Sequence, residues 1–525
     1  MSKASAGHEA PAATGIVGLD AILGGGLPRG NVYLVQGDPG VGKTTLGLQF
    51  LLAGQPAGER GLYITLSESR PELVRVAASH GWDLGRLEVV EVAPDSGDGD
   101  PRAVEEDQYD VFHPAEVELG QVVATLTGEV ERVRPARVVV DSLSELRLLA
   151  RDPLRYRRHL LALKRFFVGR GCTVLLLEAS TGGPVGDLHS NTLVHGVLSL
   201  EQATPAYGVK RRRLNILKLR GVRFDDSYHD FRIVTGGLQV FPRLVADAHA
   251  GPPGHRAGAA DLPSGAPQLD QMLGGGLPRG KSAMFVGPAG AGKSTLADQY
   301  VLAAASRREA AVVYTFDEST DTRMARADSF GMKLRAAVED GGLVVQQVDP
   351  GALAPGEFAA MVRHQVETRG ARIVVVDSLN GYLNATPDER FLLVQLHELL
   401  TYLGHKGVCT LLVLGQQGLL GATVDVPVDV SYLADAVLFL RYFEHAGEVR
   451  TAVSVVKKRT GRHERTIREF RLAAGGVQVG EPLRGFSGVL TGTPTYAGRG
   501  RPGPRLLAEG AITGGDDAGD GPNRT

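Results

Sequence analysis

The chain carries two copies of one plan. Gly24–Gly30 reads GGGLPRG, and Gly274–Gly280 reads GGGLPRG again. At the same spacing, GDPGVGKT (Gly37–Thr44) is answered by GPAGAGKS (Gly287–Ser294). VVVDSL occurs at Val138–Leu143 and at Val374–Leu379, and LKLRG (Leu217–Gly221) is echoed by VKKRT (Val456–Thr460). Four landmarks in one order mean a duplicated unit of about 230 residues. That is too long for a solenoid repeat and the size of a full α/β domain. The pattern predicts a disordered polar start over 1–13, a first domain over 14–246 and a linker over 247–262. A second domain follows over 263–480, then a C-terminal loop and Gly-rich tail over 481–525. The linker falls in ADAHAGPPGHRAGAADLPSG (Ala246–Gly265), which has no hydrophobic period.

Within each copy, short β-branched runs alternate with longer amphipathic stretches. VYLVQG, GLYITLSE, RVVVDS, CTVLLLEAS and VLSLEQ in the first match AMFVG, AVVYTFDE, RIVVVDS, CTLLVLG and AVLFLRY in the second. Near-continuous apolar strands separated by helices indicate a parallel sheet covered on both faces. Antiparallel-looking strands close each copy. The expected fold is therefore α/β: two tandem P-loop domains, each a mainly parallel sheet with helices on both faces and a C-terminal antiparallel hairpin.

Composition narrows the function classes. With 57 Lys and Arg against 59 Asp and Glu, the net charge of −2 leaves no global footprint for nucleic acid or anionic membrane. No apolar run approaches 18 residues and the N-terminus lacks a signal-peptide core, so a soluble, cytoplasmic protein is expected. The 69 glycines among 525 residues are nearly twice the usual share of about 7%. Much of the excess sits in the repeated loops. Cys172 and Cys409 each open an apolar run and read as buried small side chains, with neither disulfide nor zinc spacing.

The sequence G-x-x-x-x-G-K-[ST] between an apolar strand and a helix is a P-loop, whose successive backbone N–H groups wrap phosphates at a helix N-terminus. The expected phosphate contacts are Gly40, Val41, Gly42, Lys43, Thr44 and Thr45 in the first copy. In the second they are Ala289, Gly290, Ala291, Gly292, Lys293, Ser294 and Thr295. Lys43 and Lys293 would reach the β/γ oxygens, and the hydroxyls of Thr44 and Ser294 would ligate Mg²⁺. Asp141 and Asp377 end β-branched runs, where a carboxylate can hold Mg²⁺ through water, the Walker B role. Glu68, Asp317 and Glu318 end a further strand that lies between each P-loop and its strand-end aspartate. They read either as general bases facing the γ-phosphate or as acids favouring a helix N-terminus. Lys218 with Arg220, and Lys457 with Arg459, stand at alternate strand positions and share a face. They read either as cationic fingers for a neighbouring subunit's phosphate or as charges guarding a solvated strand edge. The run KRRR (Lys210–Arg213) is taken as a solvated edge rather than a nucleic-acid contact.

Together, GGGLPRG, the P-loop, the acidic strand end, VVVDSL and LKLRG resemble the KaiC family, tandem RecA-like ATPases and autokinases of the circadian clock. The resemblance runs over about Thr14–Thr495 and extends to GWDL (Gly81–Leu84), IREF (Ile467–Phe470) and GVLTGTPT (Gly488–Thr495). It implies a two-tiered homohexamer with ATP and Mg²⁺ between adjacent protomers. Lys218, Leu219, Arg220, Lys457, Lys458, Arg459, His463 and Arg465 would then lie at the neighbour's nucleotide. It also implies Ser79 and Phe330 near the nucleotide, Phe330 as a stacking surface, and Asp317 near the metal. The family's Glu-Glu pair is Ser67-Glu68 in the first copy and Asp317-Glu318 in the second. Ser67 accepts a proton poorly, so slow hydrolysis is expected there unless Glu68 substitutes. The family's paired Ser and Thr phosphoacceptors align with Ser431 and Tyr432, leaving Ser431 as the candidate acceptor.

Overall fold

The computed structural model describes residues 10–92, 114–180, 188–204, 209–244, 261–384, 389–416, 431–489 and 495–496. Most of the expected disordered start, most of the linker and most of the tail lie outside these residues; the end of that start is ordered instead, with Ala12 buried and bridged to Leu27. Chain contacts divide the protein into two units, Met1–Arg243 and Leu244–Thr525.

The first unit is one nine-stranded sheet. Its strands are β1 (Val32–Gly37), β2 (Gly61–Thr65), β3 (Glu88–Glu91), β4 (Arg137–Asp141), β5 (Thr173–Ala179), β6 (Gly196–Ala203), β7 (Arg211–Leu219), β8 (His229–Val234) and β9 (Gly237–Phe241). The order is β3-β2-β4-β5-β1-β6-β7-β8-β9. Strands β1 to β6 pair in parallel, and β7 to β9 continue the sheet as an antiparallel meander. The second unit repeats this with β10 (Ser282–Gly287), β11 (Ala311–Thr315), β12 (Leu343–Gln347), β13 (Ile373–Asp377), β14 (Cys409–Gly415), β15 (Ala436–His445), β16 (Glu448–Lys458), β17 (Ile467–Ala473) and β18 (Gly476–Pro482). Its order, β12-β11-β13-β14-β10-β15-β16-β17-β18, is the same arrangement. Each unit is a RecA-like α/β fold, as the sequence led us to expect, with a longer antiparallel extension than a single hairpin.

Burial follows the pleat. Tyr33 and Val35 of β1 enter one apolar cluster while Val32 and Leu34 enter another, so both sheet faces are covered. The second unit has the same two clusters. Both cysteines are buried and free, and burial pushes the Cys409 thiol up to about 12. Helix starts are set by local chemistry: Ser69 and Glu72 form a reciprocal capping box, and Ser319 accepts the Thr322 N–H at 3.1 Å.

The GGGLPRG repeat is an architectural device. Gly26 and Gly276 adopt φ of 132° and 134°. An added Cβ there would stand 2.5 Å from the Ala12 carbonyl oxygen and 2.4 Å from that of Leu262. Only glycine lets these loops close the bridges Ala12–Leu27 and Leu262–Leu277. The arginine of each repeat pairs with a glutamate, Arg29 with Glu59 and Arg279 with Glu309, both at 2.5 Å.

The KRRR run departs from expectation. Arg211–Arg213 lie on β7, which pairs with β6 on one side and β8 on the other, so they are not on a sheet edge. Arg213 instead stacks over the Tyr228 ring at 5.1 Å.

Candidate functional site

In both units the P-loop leaves the C-terminal end of the central parallel strand and enters a helix, Lys43–Leu52 or Lys293–Ser306. Gly42 and Gly292 cap these helices with φ of 114° and 92°. A Cβ on them would come within 2.8 Å of Ile233 and Phe470, so the loop seats against the meander only as glycine. Val41, Ala291, Thr45 and Thr295 are buried, which turns their side chains inward. Gly40 and Gly290 have positive φ, and the Tyr442 hydroxyl donates to the Ala289 carbonyl at 3.0 Å.

The first site gathers Lys43, Thr44, Tyr63, Asp141 and Glu68. Lys43 Nζ donates to the carbonyls of Gly37 at 2.7 Å and Asp38 at 2.9 Å. Thr44 Oγ1 donates to Asp141 Oδ2 at 3.1 Å, and the Tyr63 hydroxyl donates to the same oxygen at 2.6 Å. Register places Thr65 of β2 beside Asp141 of β4, and the chain then bends so that the Glu68 N–H donates to Thr65 Oγ1 at 2.9 Å. Burial raises the Glu68 carboxyl, the Asp141 charge raises it further, and Lys43 opposes both. Burial likewise raises Asp141 and lowers Lys43. Glu68 Oε2 is buried without a hydrogen-bond partner among the described residues. Ser67 is exposed and turned outward. An orphaned carboxylate oxygen beside a lysine and a helix N-terminus suits a site for a charged ligand that brings its own metal.

The second site is wired differently. Lys293 Nζ donates to the Pro288 carbonyl at 2.7 Å, and burial lowers its ammonium to about 8 against the pull of Asp377. Asp377 Oδ2 accepts from Arg323 Nη1 at 2.7 Å, and the Arg323 side chain is fully buried. Arg323 also grips Asp298, through Nε at 2.9 Å and through Nη2. Arg326 reaches the other Asp298 oxygen at 3.3 Å and holds both Glu318 oxygens, at 2.6 and 2.5 Å. Asp317 accepts from the Ser378 hydroxyl. Thus Glu318 is clamped while its counterpart Glu68 is open. No local sequence motif marks Tyr63, Asp298, Arg323, Arg326 and Ser378. For Asp298 and Arg323 a signal is visible when the copies are aligned, since they stand where the first copy has Leu48 and Leu73, both fully buried.

The cationic residues occupy the far end of each sheet. Lys218 pairs with Val197, which lies beside Leu34, roughly 10 Å along β1 before the P-loop begins. Lys457 pairs with Val437, which lies beside Met284 on β10. Lys218 Nζ donates to the Asn191 and Val194 carbonyls, both at 2.7 Å, and Arg220 reaches the Thr192 carbonyl at 3.5 Å. Lys457 donates to the Ser431 carbonyl and Arg459 to the Tyr432 carbonyl, both at 2.8 Å. A cleft of about 480 Å³ beside them is lined by Lys457, Lys458, His463 and Arg465. Lys458 turns the opposite way, into its own GGGLPRG loop, where it donates to the Gly276 carbonyl at 3.2 Å and to that of Leu273. Leu219 is buried in the core.

Ser79 and Phe330 follow the acidic strand ends on the next helix. The Ser79 hydroxyl is spent on the Val76 carbonyl at 2.7 Å. Phe330 is half-buried against the core, and its carbonyl accepts from the Gly475 N–H at 2.7 Å. Ser431 opens a short 3₁₀ turn (Ser431–Leu433) and is exposed.

Two glycine loops, each joining a parallel strand to a helix and set beside a strand-end aspartate, define a tandem P-loop ATPase of RecA-like fold. The KaiC ATPase profile matches residues 12–245 and 262–484, and the chain belongs to that family. It is 26% identical over 499 residues to the circadian clock protein KaiC3 of Synechocystis sp., covering 92% of this chain and 94% of the relative. It is also 26% identical over 495 residues to the circadian clock oscillator protein KaiC of Synechococcus elongatus, covering 92% and 91%. No helix among the described residues is long and apolar enough to cross a membrane.

Proposed function

We propose that the chain binds ATP with Mg²⁺ at both P-loops and hydrolyses it at junctions between adjacent copies of a cytoplasmic homohexamer, without nucleic acid. One observation carries the intermolecular part. Each P-loop and its unit's Lys/Arg pair stand at opposite ends of one sheet, so a site that uses both draws them from two chains. Lys43, Gly40–Thr45 and the helix N-terminus bind the phosphates of one nucleotide, and Ala289–Thr295 bind the other. Thr44 with Asp141, and Ser294 with Asp377 and Asp317, are the groups for Mg²⁺, which when bound offsets charge on the phosphate oxygens. Ser79 and Phe330 border the nucleotide.

In the first unit Glu68 is the base. It takes a proton as a water oxygen bonds to the γ-phosphorus, and the bond to the bridging oxygen breaks to release ADP and phosphate. Hydrolysis is favoured here despite Ser67, because Glu68 keeps a buried carboxylate oxygen without a hydrogen-bond partner among the described residues, within the electrostatic reach of Lys43 and Asp141. In the second unit Arg326 occupies Glu318, which leaves Asp317 as the acid nearest the strand end. That unit is the slower hydrolase. Mass photometry tests the reading: ATP with Mg²⁺ should convert monomers or dimers to hexamers, and a protein that stays monomeric contradicts it.

A second activity, autophosphorylation of Ser431, is favoured by its exposure on the same edge as Lys457 and Arg459. The expected product is one phosphate per chain, seen by intact-mass spectrometry and lost in Ser431→Ala. An unshifted mass leaves an ATPase alone.

The second P-loop also carries a pH signature. In the free protein Lys293 loses its proton above about pH 8, whereas a bound phosphate favours the charged form. Nucleotide affinity of the second unit should therefore be flat below that pH and fall above it by up to about tenfold per pH unit, with proton uptake. Calorimetry of a Lys43→Ala chain in buffers of different ionisation enthalpy measures this. Affinity that rises with pH contradicts it.

A further inference from the structure

The cation-bearing edge is charged differently in the two units. The Arg220 N–H donates to the His195 carbonyl at 3.0 Å and the Arg459 N–H to the Asp435 carbonyl at 2.8 Å, so His195 and Asp435 hold equivalent positions. In the second unit the Asp435 carboxylate stands 3.6 Å from Arg459 and accepts from the Ser282 N–H at 3.1 Å. The helices Pro153–Gly169 and Glu389–His405 also correspond, which sets Lys164 against Leu400, packed on the apolar core. The first unit therefore carries a lysine for a leucine and a neutral imidazole for a carboxylate. Each exchange adds one positive charge, so its edge is more positive by two. Lys164 Nζ donates to the Leu193 carbonyl at 2.6 Å, while Lys218 and Arg220 take those of Asn191, Thr192 and Val194. The His195 ring makes no hydrogen bond among the described residues, and none of these four basic groups has a carboxylate partner among them. Burial, then mutual repulsion, lowers Lys164, Lys218 and His195. Carbonyl dipoles aim such groups but carry only partial charge, so like charges gathered here favour the arrival of an anion. Arg220 is exposed and the other three are half-buried, which leaves the cluster open to solvent.

We propose that Lys164 and His195 join Lys218 and Arg220 in a phosphate-binding edge of the first unit, which takes phosphate oxygens of the nucleotide seated on another copy's first P-loop. The inference rests on the reading that P-loop and cations meet between chains. It adds two residues to that meeting, on a helix and a strand start that carry no matching charge in the second unit. Lys164 supplies an ammonium and His195 an imidazole that the fold does not otherwise employ. The absence of a carboxylate at position 195 keeps Arg220 available, where Asp435 holds Arg459 within its own chain.

The test uses the full chain in saturating ATP and Mg²⁺, with the protein concentration at half-assembly read by mass photometry. Lys164→Leu with His195→Asp recreates the second unit's arrangement, and should raise that concentration by at least about tenfold, the value of one charged hydrogen bond. Lys164→Arg, which keeps the charge, should assemble as the natural chain does. The affinity of dilute single chains for a fluorescent ADP should stay unchanged in both, because the P-loop lies at the other end of the sheet. Added salt should weaken assembly of the natural chain more steeply than that of the double variant. An unchanged half-assembly point overturns the proposal. A shift that ignores salt, or one that Lys164→Arg shares, also overturns it, since that marks a role in holding the turn. If the double variant does not fold, Lys164→Met removes one charge and keeps most of the stem, with the same expectation of about tenfold. Calorimetry of the nucleotide-free chain with inorganic phosphate separates the two sources of the anion. Phosphate that binds the natural chain but not the double variant, while both assemble alike in ATP, means a free anion is the ligand and overturns the intermolecular role. A natural chain that never assembles in ATP defeats the underlying reading and this proposal with it, a result distinct from the others.

Discussion

A chain carrying both Lys43→Ala and Lys293→Ala should stay monomeric or dimeric in saturating ATP and Mg²⁺. Among the described residues each lysine donates only to carbonyls of its own loop, so its ammonium is poised within the cradle that phosphates would enter. Removing a charged hydrogen bond costs about 1.5–3 kcal/mol, or roughly 10- to 150-fold in affinity at each site. Assembly that depends on nucleotide at every junction compounds that loss. The fold should survive, because among the described residues neither ammonium closes a buried ion pair. Mass photometry with circular dichroism on the same sample checks both halves. A hexamer formed by this variant would show that nucleotide does not join the copies.

The second large effect belongs to Glu68. Glu68→Gln, in an Asp317→Asn, Glu318→Gln background that quiets the second unit, should slow ATP hydrolysis by about 10²–10⁴-fold with nucleotide binding retained. The carboxyl is already raised by burial and by Asp141, which improves it as a base near neutral pH. Its Oε2 makes no hydrogen bond among the described residues, so the amide breaks nothing in the fold. Ser67→Glu should change the rate little, since that side chain points to solvent. A markedly faster Ser67→Glu chain or a fully active Glu68→Gln chain would move the base elsewhere.

What the sequence disclosed and what it hid divide along a physical line. The P-loops, Asp141 and Asp377 were legible because a glycine spacing and a strand-end carboxylate are local patterns. The sheet was legible because fully buried strands read as apolar runs. Arg323 and Asp298 lie well apart along the chain, and each alone looks like an ordinary surface charge on a helix. Only the comparison with Leu48 and Leu73 marks both positions as interior. The place of Lys218 and Lys457 at the far end of the sheet follows from strand order, which no local pattern encodes. The same is true of Lys458, one residue from Lys457 yet folded into the opposite face. The direction of Glu68, not Ser67, depends on how Thr65 turns the chain after β2.

The central claim is that one chain's P-loop is completed by another chain's cations, and mixing tests it most directly. One chain carries Lys43→Ala and Lys293→Ala but keeps its Lys/Arg pairs. The other keeps its P-loops but carries Lys218→Ala, Arg220→Ala, Lys457→Ala and Arg459→Ala. Each alone should be nearly inactive as an ATPase. Mixed in equal amounts, they should form joint assemblies and recover a fraction of the turnover, because some junctions then pair an intact P-loop with intact cations. Joint assemblies that remain inactive, or a cation-stripped chain that hydrolyses normally by itself, would contradict the account.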